Sequence, residues 1–137
     1  RGLKDLNCPL SENMIWLGDS TLADGARMTV RLLEQSPRPD AIVCANNYLA
    51  LGCVSAIHAA GLKIPGDIGV ITFDDNPFSH MTDPPLTAVD IDGRDMGNQA
   101  ADFLLGIIRH PNKQVQTYIT TSNLIEREST ARPRRRP

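Results

Sequence analysis

No run of about 18 apolar residues, the length a helix needs to cross a bilayer, occurs anywhere in the chain, so no membrane span is expected. No charged-then-apolar leader opens it either, and a start at Arg1 rather than Met points to a chain already trimmed. The three cysteines, Cys8, Cys44 and Cys53, are odd in number and without CxxC spacing. Cys44 and Cys53 lie in apolar runs, where a free thiol behaves as a small buried hydrophobe, which favours a reducing, cytoplasmic setting. Cysteine and histidine lack metal-ligand spacing, and no glycine-rich loop of the phosphate-cradling kind is present. These absences leave no expected metal, no expected cofactor and no enzyme reading.

What is present is a composition normal for a globular protein, 41% hydrophobic and 22% charged over 137 residues, enough for one domain or a piece of a larger one. The net charge of −2 is unevenly spread. Arg132, Arg134, Arg135 and Arg136 crowd the last six residues, and the other 10 basic residues face 16 acidic ones. An acidic body is a poor surface for phosphate backbones. The segment 131–137 is read as a disordered basic tail.

Apolar residues Leu22, Ala26, Val30 and Leu33 recur at helical spacing behind Thr21, with Asp24 completing a capping box, and Pro37-Arg-Pro39 stops that helix. Ala41 to Ala45 is a continuous strand-like run of the kind buried in parallel sheets. Asn46 or Asn47 then caps a second helix that ends at Gly61, and Ile68 to Phe73 forms another strand. The segment from Asp74 to Pro85 reads as irregular, and Leu86 to Ile91 as β-rich. Asp92 caps a helix to about Arg109, and Tyr118–Thr121 and Asn123–Arg127 read as short strands. Strand and helix alternating in this way predict an α/β fold with a mainly parallel sheet flanked by helices.

Two polar clusters lie just past strand ends, Asn46-Asn47 and Asp74-Asp75, where open α/β sheets hold their ligands. Asn offers a donor and an acceptor, and an ionised Asp accepts from two hydroxyls at once, so the pair suits a polar molecule with several hydroxyl or amide groups. The plainer roles stand beside these: Asn46 as a helix cap, Asp74 as a solvated turn residue, and Asp75 bonding backbone within the turn.

In order and spacing, Pro39-x-Ala41, Ala45-Asn46, Ala50-Leu51-Gly52, Gly61-Leu62, Pro65-x-Asp67, Phe73-Asp74-Asp75, Pro84-Pro85-Leu86-Thr87, Gly97 and Arg127-Glu-Ser-Thr130 resemble the effector-binding half of LacI/GalR-family bacterial transcription regulators. The resemblance implies a type I periplasmic-binding-protein-like fold, incomplete because its N-terminal part is absent. Residues 1–130 would then be a fragment of the effector-binding domain, mostly its C-terminal lobe, with about 92–121 belonging to the N-terminal lobe. It further implies that Asn46, Asp74, Phe73 and Ser20 face a small-molecule effector, a sugar or derivative. Ser20 stands where the family often has a stacking aromatic, Asn47 where an aspartate is commoner, and Gly93 where a bulky side chain often closes the pocket. A homodimer is implied, with Tyr48, Leu51, Ser55 and Phe78 at its face, and operator DNA is reached only through a missing N-terminal headpiece. Leu49, Cys53, Ala56 and Ala60 form the predicted core stripe of the second helix, leaving Leu51 and Val54 off it. The Met96–Ile107 face of the last helix would pack on the other lobe.

A sugar-binding protein of a transport system shares this two-lobed fold and is the alternative. Gly18-Asp-Ser20-Thr-Leu22 also resembles the nucleophile block of GDSL-type esterases, but none of His58, His80 and His110 has the aspartate three residues earlier that such a serine's base requires. Asp90-x-Asp92-Gly93 is a scrap of a calcium loop, better explained by Asp92 as a cap.

Overall fold

The computed structural model describes residues 2–8, 10–111 and 117–131. The basic tail predicted at 131–137 lies outside these, apart from residue 131. In chain order the elements are α1 (Gly2–Asp5), a 3-10 turn (Glu12–Met14), α2 (Leu22–Leu33), β1 (Ala41–Cys44), α3 (Asn47–Ala59), β2 (Gly69–Phe73), α4 (Pro77–Met81), β3 (Thr87–Ile91), α5 (Gly93–Arg109), β4 (Ser122–Ile125) and a second 3-10 turn (Glu128–Thr130). The strands form one sheet in the order β1-β2-β3-β4. β1, β2 and β3 run parallel, and β4 returns antiparallel to β3.

Short polar side chains start each long helix. The Thr21 hydroxyl accepts from the Asp24 N–H at 3.1 Å, the Asn46 amide oxygen from Leu49 N–H at 3.0 Å, and the Asp92 carboxylate from Asp95 N–H at 2.9 Å, each satisfying a donor that has no partner inside its helix. α3 stops as predicted: Gly61 takes φ +72°, and the Leu62 N–H reaches back to the Ile57 carbonyl at 3.1 Å.

One face of the sheet carries the core. Ile42, Cys44 and Val70 point to it and join Cys53 and Ile57 of α3 and Leu32 of α2 in one cluster, and Ala88 on the same face is fully buried. Each large side chain removed from water here contributes about 1.5–3 kcal/mol. α2 and α3 cross at backbone contact: a Cβ on Gly25 would strike the Leu49 backbone, and one on Gly52 would strike the Leu22 carbonyl and the Ala26 nitrogen. α3 is covered on more than the predicted stripe, since Asn47, Ala50, Val54 and Ile57, at helical spacing, are buried as well. Val54 is buried and Leu51 half-buried, while Ala60 is exposed.

Three further expectations are corrected. The irregular stretch 74–85 contains α4, because Asn76 caps it (Oδ1 to Phe78 N–H, 2.9 Å) and Pro77 is preset for a first helical turn. Tyr118–Thr121 forms no strand. Ser122 already pairs with Ile91, the last residue of β3, so residues before it have no strand to bond. Tyr118 instead donates to the Asp95 carboxylate at 3.0 Å and meets Phe103 edge-on, with ring centroids 6.4 Å apart. Asp75 makes an ion pair rather than a turn, as described below.

The C-terminal turn is stitched into the sheet. Ser129, fully buried, donates to the Val70 carbonyl at 2.6 Å and accepts from the Thr87 N–H at 2.8 Å, bridging β2 and β3 through one hydroxyl. By contrast, α5 has no buried residue, and Met96, Leu104, Leu105 and Ile108 all face solvent. No helix among the described residues is long and apolar enough to cross a membrane.

Replacing Gly52 by Val sets a branched side chain against backbone that has no rotamer to yield. Urea unfolding should show a loss of about 3 kcal/mol or more, beyond the usual cost of overpacking a core.

Candidate functional site

Parallel pairing fixes the relation between the two polar clusters. Cys44 pairs with Thr72 at the last rung joining β1 and β2, so Asn46 and Asp74 each stand two residues beyond it, at the same edge of one layer. Adjacent strands are about 4.8 Å apart, which brings both residues within reach of one small molecule. Asn46 is half-buried and its Oδ1 is engaged by the cap, while its amide N–H groups have no partner among the described residues. Asp74 is exposed, its backbone N–H tied to the Val89 carbonyl at 3.0 Å.

The backbone of Asp74 takes φ +66°, a left-handed conformation that aspartate tolerates better than most residues but not without strain. Asn47 holds it there. The buried Asn47 amide donates to the Asp74 carbonyl at 2.8 Å and the Phe73 carbonyl at 3.3 Å, and its oxygen accepts from the Ser79 hydroxyl at 2.9 Å. One side chain thus joins the start of α3 to the β2 turn and to α4. The sequence reading gave Asn47 only a part in tuning the cap. Its signal was the amide itself, which supplies the two donors that an aspartate at this position lacks.

The remaining predicted residues lie around this edge. Phe73, 38% exposed, alternates with the buried Thr72 and shares the other sheet face with Val43 and Ile71. Ser20 is exposed just ahead of α2. Gly25 lies against Leu49, and Thr29 lies beside Cys53, so α2 and α3 run the same way. Ser20 and Asn46 therefore stand at one end of the helical layer. A side chain at Gly93 would meet open space. Among the dimer-face residues, Tyr48, Ser55 and Phe78 are exposed and Leu51 half-buried. No hydrogen bond joins Ser20 to a histidine among the described residues, nor do three or more His, Cys, Asp or Glu gather as metal ligands there. A mainly apolar hollow of about 420 Å³ lies elsewhere, along the open edge of β1 beneath α2.

Asp75 turns away from the edge. Both its oxygens accept from the Arg127 guanidinium at 2.8 Å, and Arg127 also donates to the Leu86 carbonyl at 2.7 Å. Neither side chain is more than 15% exposed. The Arg127 hydrogen bonds hold the Asp75 carboxyl below the usual carboxylate range, against the opposing effect of burial and with a smaller contribution from His80. A depressed folded-state value stabilises the protein above the unfolded carboxylate value near 3.9 and is lost as pH falls through the folded one. Asp75→Asn should therefore cost on the order of 2 kcal/mol at pH 7. Urea titrations of parent and variant should converge below pH 4.

The periplasmic binding protein-like domain family matches residues 3–130. The lactose operon repressor of Rhizobium radiobacter is 38% identical over 110 residues, covering 80% of this chain and 96% of that one. The HTH-type transcriptional repressor PurR of Haemophilus influenzae (strain PittEE) is 33% identical over 132 residues, covering 94% of this chain and 39% of that one. Among solved structures, the transcriptional regulator CelR–cellobiose complex superposes with a TM-score of 0.86 at 26% identity, over 93% of this chain and 39% of that one. The chain spans about two fifths of the length of most of the curated relatives it matches. With a matched domain that runs nearly end to end, the chain belongs to the periplasmic binding protein-like family, as an effector-binding domain of the LacI/GalR type.

Proposed function

We propose that this chain is the ligand-sensing and dimerisation part of a cytoplasmic, DNA-binding transcription repressor, and that a sugar or sugar derivative bound at Asn46 and Asp74 controls it. The observation that carries this reading is the equal overhang of those two residues past the paired Cys44 and Thr72. Free amide hydrogens on one strand end and a free carboxylate on the next match the alternating acceptors and donors of a polyol. Phe73 supplies an apolar flank and Ser20 a further hydroxyl. That cellobiose occupies CelR, and that relatives matching most of this chain are repressors, favours a regulator over a transport protein or an enzyme.

The site as described is one wall of a cleft. The exposed apolar face of α5 suits a second lobe, to which we assign about 92–121, with residues 1–91 and 122–130 forming the lobe that carries Asn46 and Asp74. DNA binding is assigned to a headpiece outside this chain. An effector shifts the lobe arrangement only by its difference in affinity for the two arrangements.

Isothermal titration of the full-length regulator with pentoses, hexoses and purines tests the reading. Aspartate caps helices as well as asparagine does, so Asn46→Asp keeps α3 intact while removing the amide donors. That variant and Asp74→Asn should each weaken binding of the best sugar about tenfold or more, the worth of one charge-assisted hydrogen bond. Unchanged affinity in both would exclude this edge as the site. For the dimer, Leu51→Glu places a charge on the Tyr48–Ser55 face. Sedimentation velocity should show monomer at concentrations where the parent is dimeric.

A further inference from the structure

Two of the three cysteines meet in the interior. Cys44 ends β1 and Cys53 lies in the second turn of α3, respectively 6% and 1% exposed. Both line the hollow between β1 and α2, together with Trp16, Met28 and Thr29. They are close enough to perturb each other. The Cys53 sulfur and burial together hold the Cys44 thiol protonated, while Cys44, helped by Thr29, draws Cys53 down against the effect of burial. Thiolate is the reactive form of either sulfur. The polar edge at Asn46 and Asp74 does not use them.

We propose that Cys44 and Cys53 form a modification site, an internal dithiol that a peroxide reaching the hollow closes to a disulfide. In the first step the Cys53 thiolate attacks one peroxide oxygen. An S–O bond forms, the O–O bond breaks, and hydroxide leaves to take up a proton as water. In the second step the Cys44 sulfur displaces the hydroxyl of the resulting sulfenic acid, losing its own proton and releasing a second water. Two thiols and one hydrogen peroxide become one disulfide and two waters, with two electrons passing from sulfur to peroxide. The loop so closed contains Asn46 and Asn47, so oxidation ties the end of β1 to α3 across the residues that shape the polar edge. Oxidant chemistry and small-molecule recognition would then act on the same turn.

Cys8 is exposed and reacts on its own account, so the test uses the 137-residue chain carrying Cys8→Ser. The native protein is treated with hydrogen peroxide, unfolded, alkylated with N-ethylmaleimide and weighed by mass spectrometry. The expected product has lost two hydrogens, takes up no label on the 32–63 tryptic peptide, and regains two labelled sites after reduction. Phenylarsine oxide, which bridges neighbouring thiols with loss of water, provides a second measurement that needs neither oxidation nor a core variant. One equivalent should protect both thiols of the native protein, and Cys44→Ala should abolish that protection. Full labelling of both cysteines after peroxide, or sulfinic acid without a disulfide, would overturn the proposal. So would a native protein whose thiols phenylarsine oxide leaves open to label.

Discussion

The polar edge exists in its present form because of a single buried amide. Asn47 donates to the carbonyls of Phe73 and Asp74 and accepts from Ser79. These bonds hold Asp74 in a left-handed conformation that its own side chain would not choose, and they anchor α4 against the same turn. A buried amide with its donors and acceptor satisfied costs little, whereas an aspartate there would present oxygen to carbonyl oxygen. The division of labour is clear: Asn46 and Asp74 face outward with groups to spare, and Asn47 between them in space is wholly consumed by the protein.

A second set of polar contacts does for β3 what Asn47 does for β2. Arg127 grips Asp75 with two bonds and the Leu86 carbonyl with a third, while Ser129 bridges Val70 and Thr87. Both residues belong to the Arg-Glu-Ser-Thr segment, whose role is therefore mechanical. It clamps β2 to β3 and fixes the strand whose far end leads into α5. The Gly25–Gly52 crossing adds a third constraint, because two helices in backbone contact have no side chains to repack and must move together.

Much of this was legible in the residues. Helix starts were readable because Thr21, Asn46 and Asp92 each advertise a capping oxygen, and the sheet because apolar runs alternate with amphipathic ones. The alignment of Asn46 with Asp74 followed from parallel strands ending in like fashion. What escaped were interactions between residues distant in sequence. Asp75 and Arg127 are 52 positions apart, Asn47 and Ser79 are 32 apart, and nothing local marks either as half of a pair. Val54 was misplaced for the same reason, since a single helix cannot disclose that residues distant in sequence will cover its second side. The missing strand at Tyr118–Thr121 was a matter of partner rather than propensity, β3 having already ended.

The bridging hydroxyl of Ser129 has a bearing on the order of events during synthesis. Val70 and Thr87 leave the ribosome long before the serine that joins them. Until the residue numbered 129 emerges, a carbonyl and an amide hydrogen in the heart of the layer have only water or each other's neighbours to satisfy them. The nascent polypeptide thus holds its strands in provisional register, and the definitive pairing is sealed from the trailing end, after the binding edge has already been translated.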